Sequence, residues 1–106
     1  MEITEKTFRE WFTANLTEEA KDIANHGADA GWSGITYTSD TVQLFDKFGS
    51  EIWDMAVEDA EEMGHKNVAE MIAGFGRADM LSGLDQFKNL MVWYACEKIA
   101  RELHND

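Results

Sequence analysis

Apolar positions recur at three- and four-residue intervals along most of the chain, in separate runs bounded by glycine or by capping residues. Phe8, Trp11 and Phe12 make an i, i+3, i+4 stripe, which predicts a first helix ending near Asn15 with that face in the core. Thr4 is its expected N-cap, with Ile3 placed to staple onto Phe8. Thr17 is placed to cap a second, short helix over Glu18 to Asn25, with Glu18 and Glu19 at its positive end and His26-Gly27 as its stop. The period then disappears. Between Gly27 and Thr38 lie Trp32, Ile35 and Tyr37 among several glycines, a pattern that predicts one irregular Gly/aromatic segment wrapped on the helices.

Helical spacing returns after Ser39 or Thr38, either of which can cap the next helix, with Val42, Phe45 and Phe48 facing inward. Gly49-Ser50 is either a break or a weak point in one helix running to Met63, and a break is the preferred reading. Within Ser50 to Met63, Ile52, Ala56, Ala60 and Met63 keep an apolar line, and Gly64 closes the run. Asn67 with Glu70 resembles a capping box and opens a short helix through Phe75, burying Val68, Met71 and Ile72. Ser82 with Asp85 opens the last and longest helix. Leu84, Phe87, Leu90, Met91, Tyr94, Ala95, Ile99 and Leu103 form its broad stripe. The expected architecture is all-α, a single domain over 1–106, built as a compact bundle of five or six helices with the C-terminal one as spine.

Composition narrows the function classes. At 106 residues with 44% hydrophobic and 11% aromatic content, the chain can bury one core and is not disordered despite a net charge of −12. That charge opposes direct binding to nucleic acid or to an anionic membrane, and favours a basic partner. Cys96 is the only cysteine, so an internal disulfide is impossible and a reducing compartment is expected. Met1 to Arg9 is polar and acidic, unlike a secretory leader, and no apolar run approaches a membrane span, so a cytoplasmic location is expected.

The charge is concentrated. Residues 50 to 70 hold seven carboxylates against Lys66 alone, half of the net charge in a fifth of the chain. Glu51, Asp54, Glu58 and Glu61 or Glu62 line one side of the predicted helix, opposite part of its apolar line. With Asp59, the six carboxylates of Ser50 to Met63 span about 21 Å, or about one per 3.5 Å, close to the roughly 3.4 Å phosphate spacing of one DNA strand. Like charges at Asp54/Glu58 and Glu58/Glu62 cost a few tenths of a kcal/mol each, and nothing in the segment offsets them. A row of carboxylates can accept arginine much as phosphate does. A solvated surface is the plainer account of the same residues. Trp53 sits among these acids off the apolar line. It is either a partly exposed anchor for an arginine-rich partner or a core residue against Phe45 or Phe48.

Catalytic chemistry finds little support. Glu62-Met63-Gly64-His65 matches one Glu-x-x-His element of di-iron bundles, but those sites use two such elements and two further glutamates. His26 and His104 have no fixed ligand spacing, and Cys96 lies among Tyr94, Ala95 and Ile99 as a structural residue. Gly31-Trp32-Ser33-Gly34 lacks the lysine of a phosphate loop and is no nucleophile elbow. Neither an enzyme nor a metal or other cofactor is expected.

At Gly31-Trp32-Ser33-Gly34-Ile35-Thr36-Tyr37-Thr38-Ser39-Asp40-Thr41, at Glu51-Ile52-Trp53, and at Gln86-Phe87-Lys88-Asn89-Leu90-Met91-Val92-Trp93-Tyr94-Ala95, the chain resembles a family of small acidic helical proteins carried by phages and plasmids. The similarity runs from about residue 30 to the C-terminus. Most members have no assigned biochemistry, and they resemble anti-CRISPR and anti-restriction inhibitors in kind. The resemblance implies a stoichiometric blocker of a bacterial nucleic-acid-binding defence complex and carries over no site residues. Joined to the acidic helix, the expectation is a non-enzymatic mimic of DNA charge that presents Glu51, Asp54, Glu58, Glu61 and Glu62, with Trp53, to a basic surface. A CRISPR surveillance complex is the first choice of target and a restriction enzyme the second. The competing expectation is a phage accessory or antitoxin-like module that binds through an apolar or aromatic patch.

Overall fold

The computed structural model describes residues 2–27, 39–74 and 83–104. Five helices account for most of these residues, and no strand occurs among them: α1 (Phe8–Leu16), α2 (Ala20–His26), α3 (Ser39–Glu62), α4 (Val68–Gly74) and α5 (Leu84–His104). The segment with Trp32, Ile35 and Tyr37, the Thr38 and Ser82 caps, and Phe75 all lie outside the described residues.

The spine is α5, as its long apolar stripe predicts. It packs most extensively on α3 and α2, and less on α1. With helices on two sides it is buried around much of its girth, so Asn89 to Val92, Tyr94 to Glu97, Ile99 and Ala100 are all enclosed. The stripe was expected to include its two ends, but Leu84 is 69% and Leu103 56% exposed. Both project past the helices that cover the centre, where periodicity alone cannot register the absence of a neighbour.

α1 begins one turn later than its first capping residue suggests. Thr7, not Thr4, is the N-cap: its Oγ1 accepts the N–H of Glu10 at 3.1 Å, and Glu10 Oε2 reaches back to the N–H of Lys6 at 3.2 Å. The Thr7-x-x-Glu10 spacing allows a reciprocal cap that Thr4 lacks. Ile3 still packs against the core. α2 also starts late, at Ala20. Thr17 does not cap it, because its hydroxyl donates to the carbonyl of Thr13 in α1. Gly27, at φ 95°, stops α2 as expected.

The expected break falls one residue before Gly49: α3 consists of two helical segments joined across a kink at Phe48, whose backbone is non-helical (φ −113°, ψ 15°). Gly49 serves packing here, since a Cβ would come within 3.2 Å of the Phe45 ring, and that ring stands edge-on to Phe87 at 5.9 Å. Leu44 and Phe48 are core residues, whereas Val42 and Phe45 are only partly buried.

α3 ends in a Schellman turn. The N–H of His65 donates to the carbonyl of Ala60 at 2.8 Å, and that of Gly64 to Glu61 at 3.1 Å, with Gly64 at φ 79°. Asn67 Oδ1 then caps α4 through the N–H of Glu70 at 2.8 Å, as its spacing predicts. No atom outside its neighbours lies within 4 Å of a Cβ placed on Gly64, so the cost of filling it is conformational alone. Gly64→Ala is expected to destabilise the fold by about 1–2 kcal/mol, read as a fall in urea midpoint with an unchanged slope.

Candidate functional site: the acidic face of α3

The carboxylates of α3 separate into two groups. The first holds the bundle together. Asp46 pairs with Lys88 of α5 at 2.5 Å. Asp59 is only 9% exposed; its Oδ1 meets Lys98 Nζ at 2.6 Å, and its Oδ2 accepts the hydroxyl of Tyr94. Glu51 caps α1 from outside, its Oε1 accepting the N–H of Phe8 at 2.7 Å and its Oε2 the N–H of Arg9 at 3.2 Å. A carboxylate facing the positive end of a helix is well placed. The docking is completed by the Phe8 ring, edge-on to Phe48 at 6.0 Å, so the kink and the cap meet the same turn of α1.

The second group is Asp54, Glu58, Glu61 and Glu62. All four are exposed, and none forms an ion pair or hydrogen bond among the described residues. At 100° per residue they lie within a quarter to a third of the helix circumference and within about 12 Å along it. This ridge keeps four of the five carboxylates expected to meet a partner. The fifth, Glu51, borders it but is committed to α1.

Cations of other helices lie along one margin of the ridge without pairing to it. Arg9 of α1 binds Glu102 of α5 at 2.7 Å and feels the charges of Glu51 and Glu58. Lys98 lies 3.7 Å from Glu102 as well as against Asp59. These contacts chain Tyr94, Asp59, Lys98, Glu102 and Arg9 along one margin of the ridge. Burial lowers the Lys98 pKa, but the hydrogen bond to Asp59 together with the charges of Asp59, Glu102 and Glu62 outweighs it, so the net shift is upward. Burial and the same carboxylate push the Tyr94 phenol far up, so it stays a donor. The hydrogen bond from Arg9 holds Glu102 below the usual glutamate value.

Asp59 was not singled out among the residues expected to matter, although its signal is in the sequence. It falls seven residues after Ile52 and three after Ala56, on the packing line, and α5 offers Tyr94 and Lys98 four apart to receive it. Trp53 resolves to a half-open position, 42% exposed. Its ring is tilted against Phe87 at 6.2 Å, so its partner is a residue of α5, neither Phe45 nor Phe48. On the far margin of the ridge, Trp53, Val57, Ala60 and Glu61 form one wall of a groove of about 200 Å³, closed on the other side by His65 to Val68.

The Schellman turn bends the chain away between Glu62 and His65, which separates the two positions of the Glu-x-x-His element. His65 Nδ1 lies 3.5 Å from Glu70. Among the described residues, no group of three His, Cys, Asp or Glu could hold a metal ion, and none of their helices is long and apolar enough to cross a membrane. Cys96 is fully buried, and that burial pushes its thiol pKa well up.

Over residues 2–106 the chain matches a family model described as a domain of unknown function, DUF7222, and it belongs to that family. The description says nothing of phage or plasmid origin or of inhibition. No curated protein and no solved structure matches the chain.

Two of the site's carboxylates can be separated by stability. Glu51→Ala is expected to cost about 1–2 kcal/mol, as for loss of a helix cap, whereas Glu58→Ala stays within about 0.5 kcal/mol; urea denaturation of the two variants measures the difference. The Arg9–Glu102 pair predicts a pH effect. A carboxylate with a lowered folded-state pKa contributes stability above its ordinary range and loses it as pH falls through the depressed value. Glu102→Gln should therefore flatten the acid limb of the stability profile. Both partners are nearly half exposed, so solvent screening keeps the change below about 1 kcal/mol.

Proposed function

We propose that this chain is a non-enzymatic binding protein whose α3 ridge occupies a basic surface that otherwise holds nucleic acid. One observation carries the reading: Asp54, Glu58, Glu61 and Glu62 stand exposed and unpaired in one row, while the nearby cations Arg9, Lys88 and Lys98 are engaged by other carboxylates. Four like charges on adjacent turns disfavour the isolated helix, and a lysine- or arginine-rich partner would remove that repulsion. Carboxylates held on a rigid helix present acceptors to guanidinium groups in the manner of phosphates. Their attraction is long-ranged and screened by salt.

The resemblance to anti-CRISPR and anti-restriction inhibitors supplies the target class: a bacterial CRISPR surveillance complex, with a restriction enzyme second, met in the host cytoplasm. A second reading, a phage accessory or antitoxin-like module with an apolar contact, is favoured by the exposure of Trp53 and of Met63, 55%. The two differ in salt response, because apolar contact survives high salt and an ion-paired one does not.

The decisive variant is Asp54→Asn/Glu58→Gln/Glu61→Gln/Glu62→Gln, with Glu51 retained so that α1 stays capped. Binding to purified surveillance complex and restriction enzyme, measured in rising salt and against competing DNA, is expected to fall by about tenfold or more. Exposed ion pairs contribute about 0.2–1 kcal/mol each. Unchanged affinity in the folded variant would sink the polyanionic reading.

A further inference from the structure

The groove beside the ridge has a chemistry of its own. Its walls are mainly apolar: Trp53, Val57 and Ala60 of α3 face Val68 of α4. Its polar neighbours at the α3–α4 turn are largely committed, Asn67 to the cap of α4 and His65 to the side of Glu70. At about 200 Å³ it is smaller than the roughly 300–1,000 Å³ of sites that enclose a cofactor or drug-sized ligand. It is of the order of one large side chain. Glu61 belongs to both features, lining the groove and standing in the anionic row, with Glu58 one turn and Asp54 two turns away on the same side. Lys66 stands on the opposite, α4 side. The groove is thus apolar inside and anionic along one margin only.

We propose that the groove receives a single aliphatic side chain, leucine or methionine, from a basic segment of the protein partner, whose flanking arginines lie across Asp54, Glu58 and Glu61. The charge half of this inference rests on the polyanionic reading of the ridge; the groove half rests on shape and apolar lining. Trp53, held from behind by Phe87, is the rigid aromatic wall of the pocket, a residue type that dominates interface energetics when a partner encloses it. Arginines set on the Glu61 margin stay clear of Lys66, which fixes the direction in which the segment crosses. The ridge then steers the partner, and the groove decides which basic segment stays.

The test uses the full chain and two synthetic arginine-rich peptides that differ only at the centre, leucine in one and serine in the other. Affinity is read by fluorescence anisotropy, and contact by NMR shifts of the Trp53 indole N–H and the Val57 and Val68 methyls. The leucine peptide is expected to bind about tenfold more tightly and to shift all three groups. Val57→Gln, at a half-buried surface position, should bring its affinity down to that of the serine peptide. The peptide comparison needs no variant to fold. Equal binding of both peptides, with shifts confined to Asp54 and Glu58, overturns the groove inference and leaves the ridge reading standing. An affinity of the leucine peptide that stays unchanged after the four ridge carboxylates are neutralised overturns the ridge reading and leaves the groove's choice of side chain. Absence of binding by either peptide at millimolar concentration overturns both.

Discussion

The buried carboxylate of Asp59 is the constraint on which the arrangement of α3 depends. A charge that is 9% exposed is tolerable only if its oxygens are met by donors or cations, and failing that it costs several kcal/mol. Tyr94 and Lys98, one turn apart on α5, meet them from the same side. This fixes the rotation of α3 about its own axis against the spine. Ile52, Met55, Ala56 and Ala60 are then committed to the core. Asp54, Glu58, Glu61 and Glu62 are left outward by the same rotation. The anionic ridge is therefore the remainder of a packing solution as much as a feature of composition.

A second fastening acts through Glu51. Helix N-termini carry N–H groups that need acceptors, and α1 obtains two of them from a side chain on another helix. The kink at Phe48 brings that side chain and an aromatic ring to the same turn of α1. A carboxylate that looks like one more member of a charged row thus serves the fold, and the row that remains for a partner is shorter and better defined. The salt bridges along its inner margin, from Asp59 to Arg9, hold one side of the ridge close to neutral. Among the described residues, the outer side, toward Trp53 and the groove, has no such compensation beyond Lys66. Charge and apolar surface meet there, which is where a protein partner gains both steering and desolvation.

Much of this was legible in the chain. The helical periods located all five helices, the Asn67–Glu70 spacing gave the start of α4, and Gly27 and Gly64 gave two helix ends, because these depend on a few neighbouring residues and on a backbone conformation that favours glycine. The density of acids in residues 50 to 70 likewise marked the face that the structure leaves open. Local rules misplaced the start of α1 at Thr4 and cast Thr17 as a cap, since several hydroxyls near a helix start satisfy the same pattern and only the reciprocal partner chooses among them.

Tertiary structure decided the rest. Six carboxylates in fourteen residues look alike in sequence, yet Asp59 is buried, Glu51 is a cap, and four remain free among the described residues. What separates them is which donors other helices bring within about 3 Å, and those donors lie some forty residues away in the chain. The same holds for Trp53, whose half-exposed ring depends on Phe87, and for the groove, which exists only because the Schellman turn at Gly64 folds α4 back beside α3. Periodicity determined the helices and their apolar faces, because both arise within a few turns of one chain segment. The role of each charge came only from the packed bundle, because a carboxylate takes its function from its neighbours.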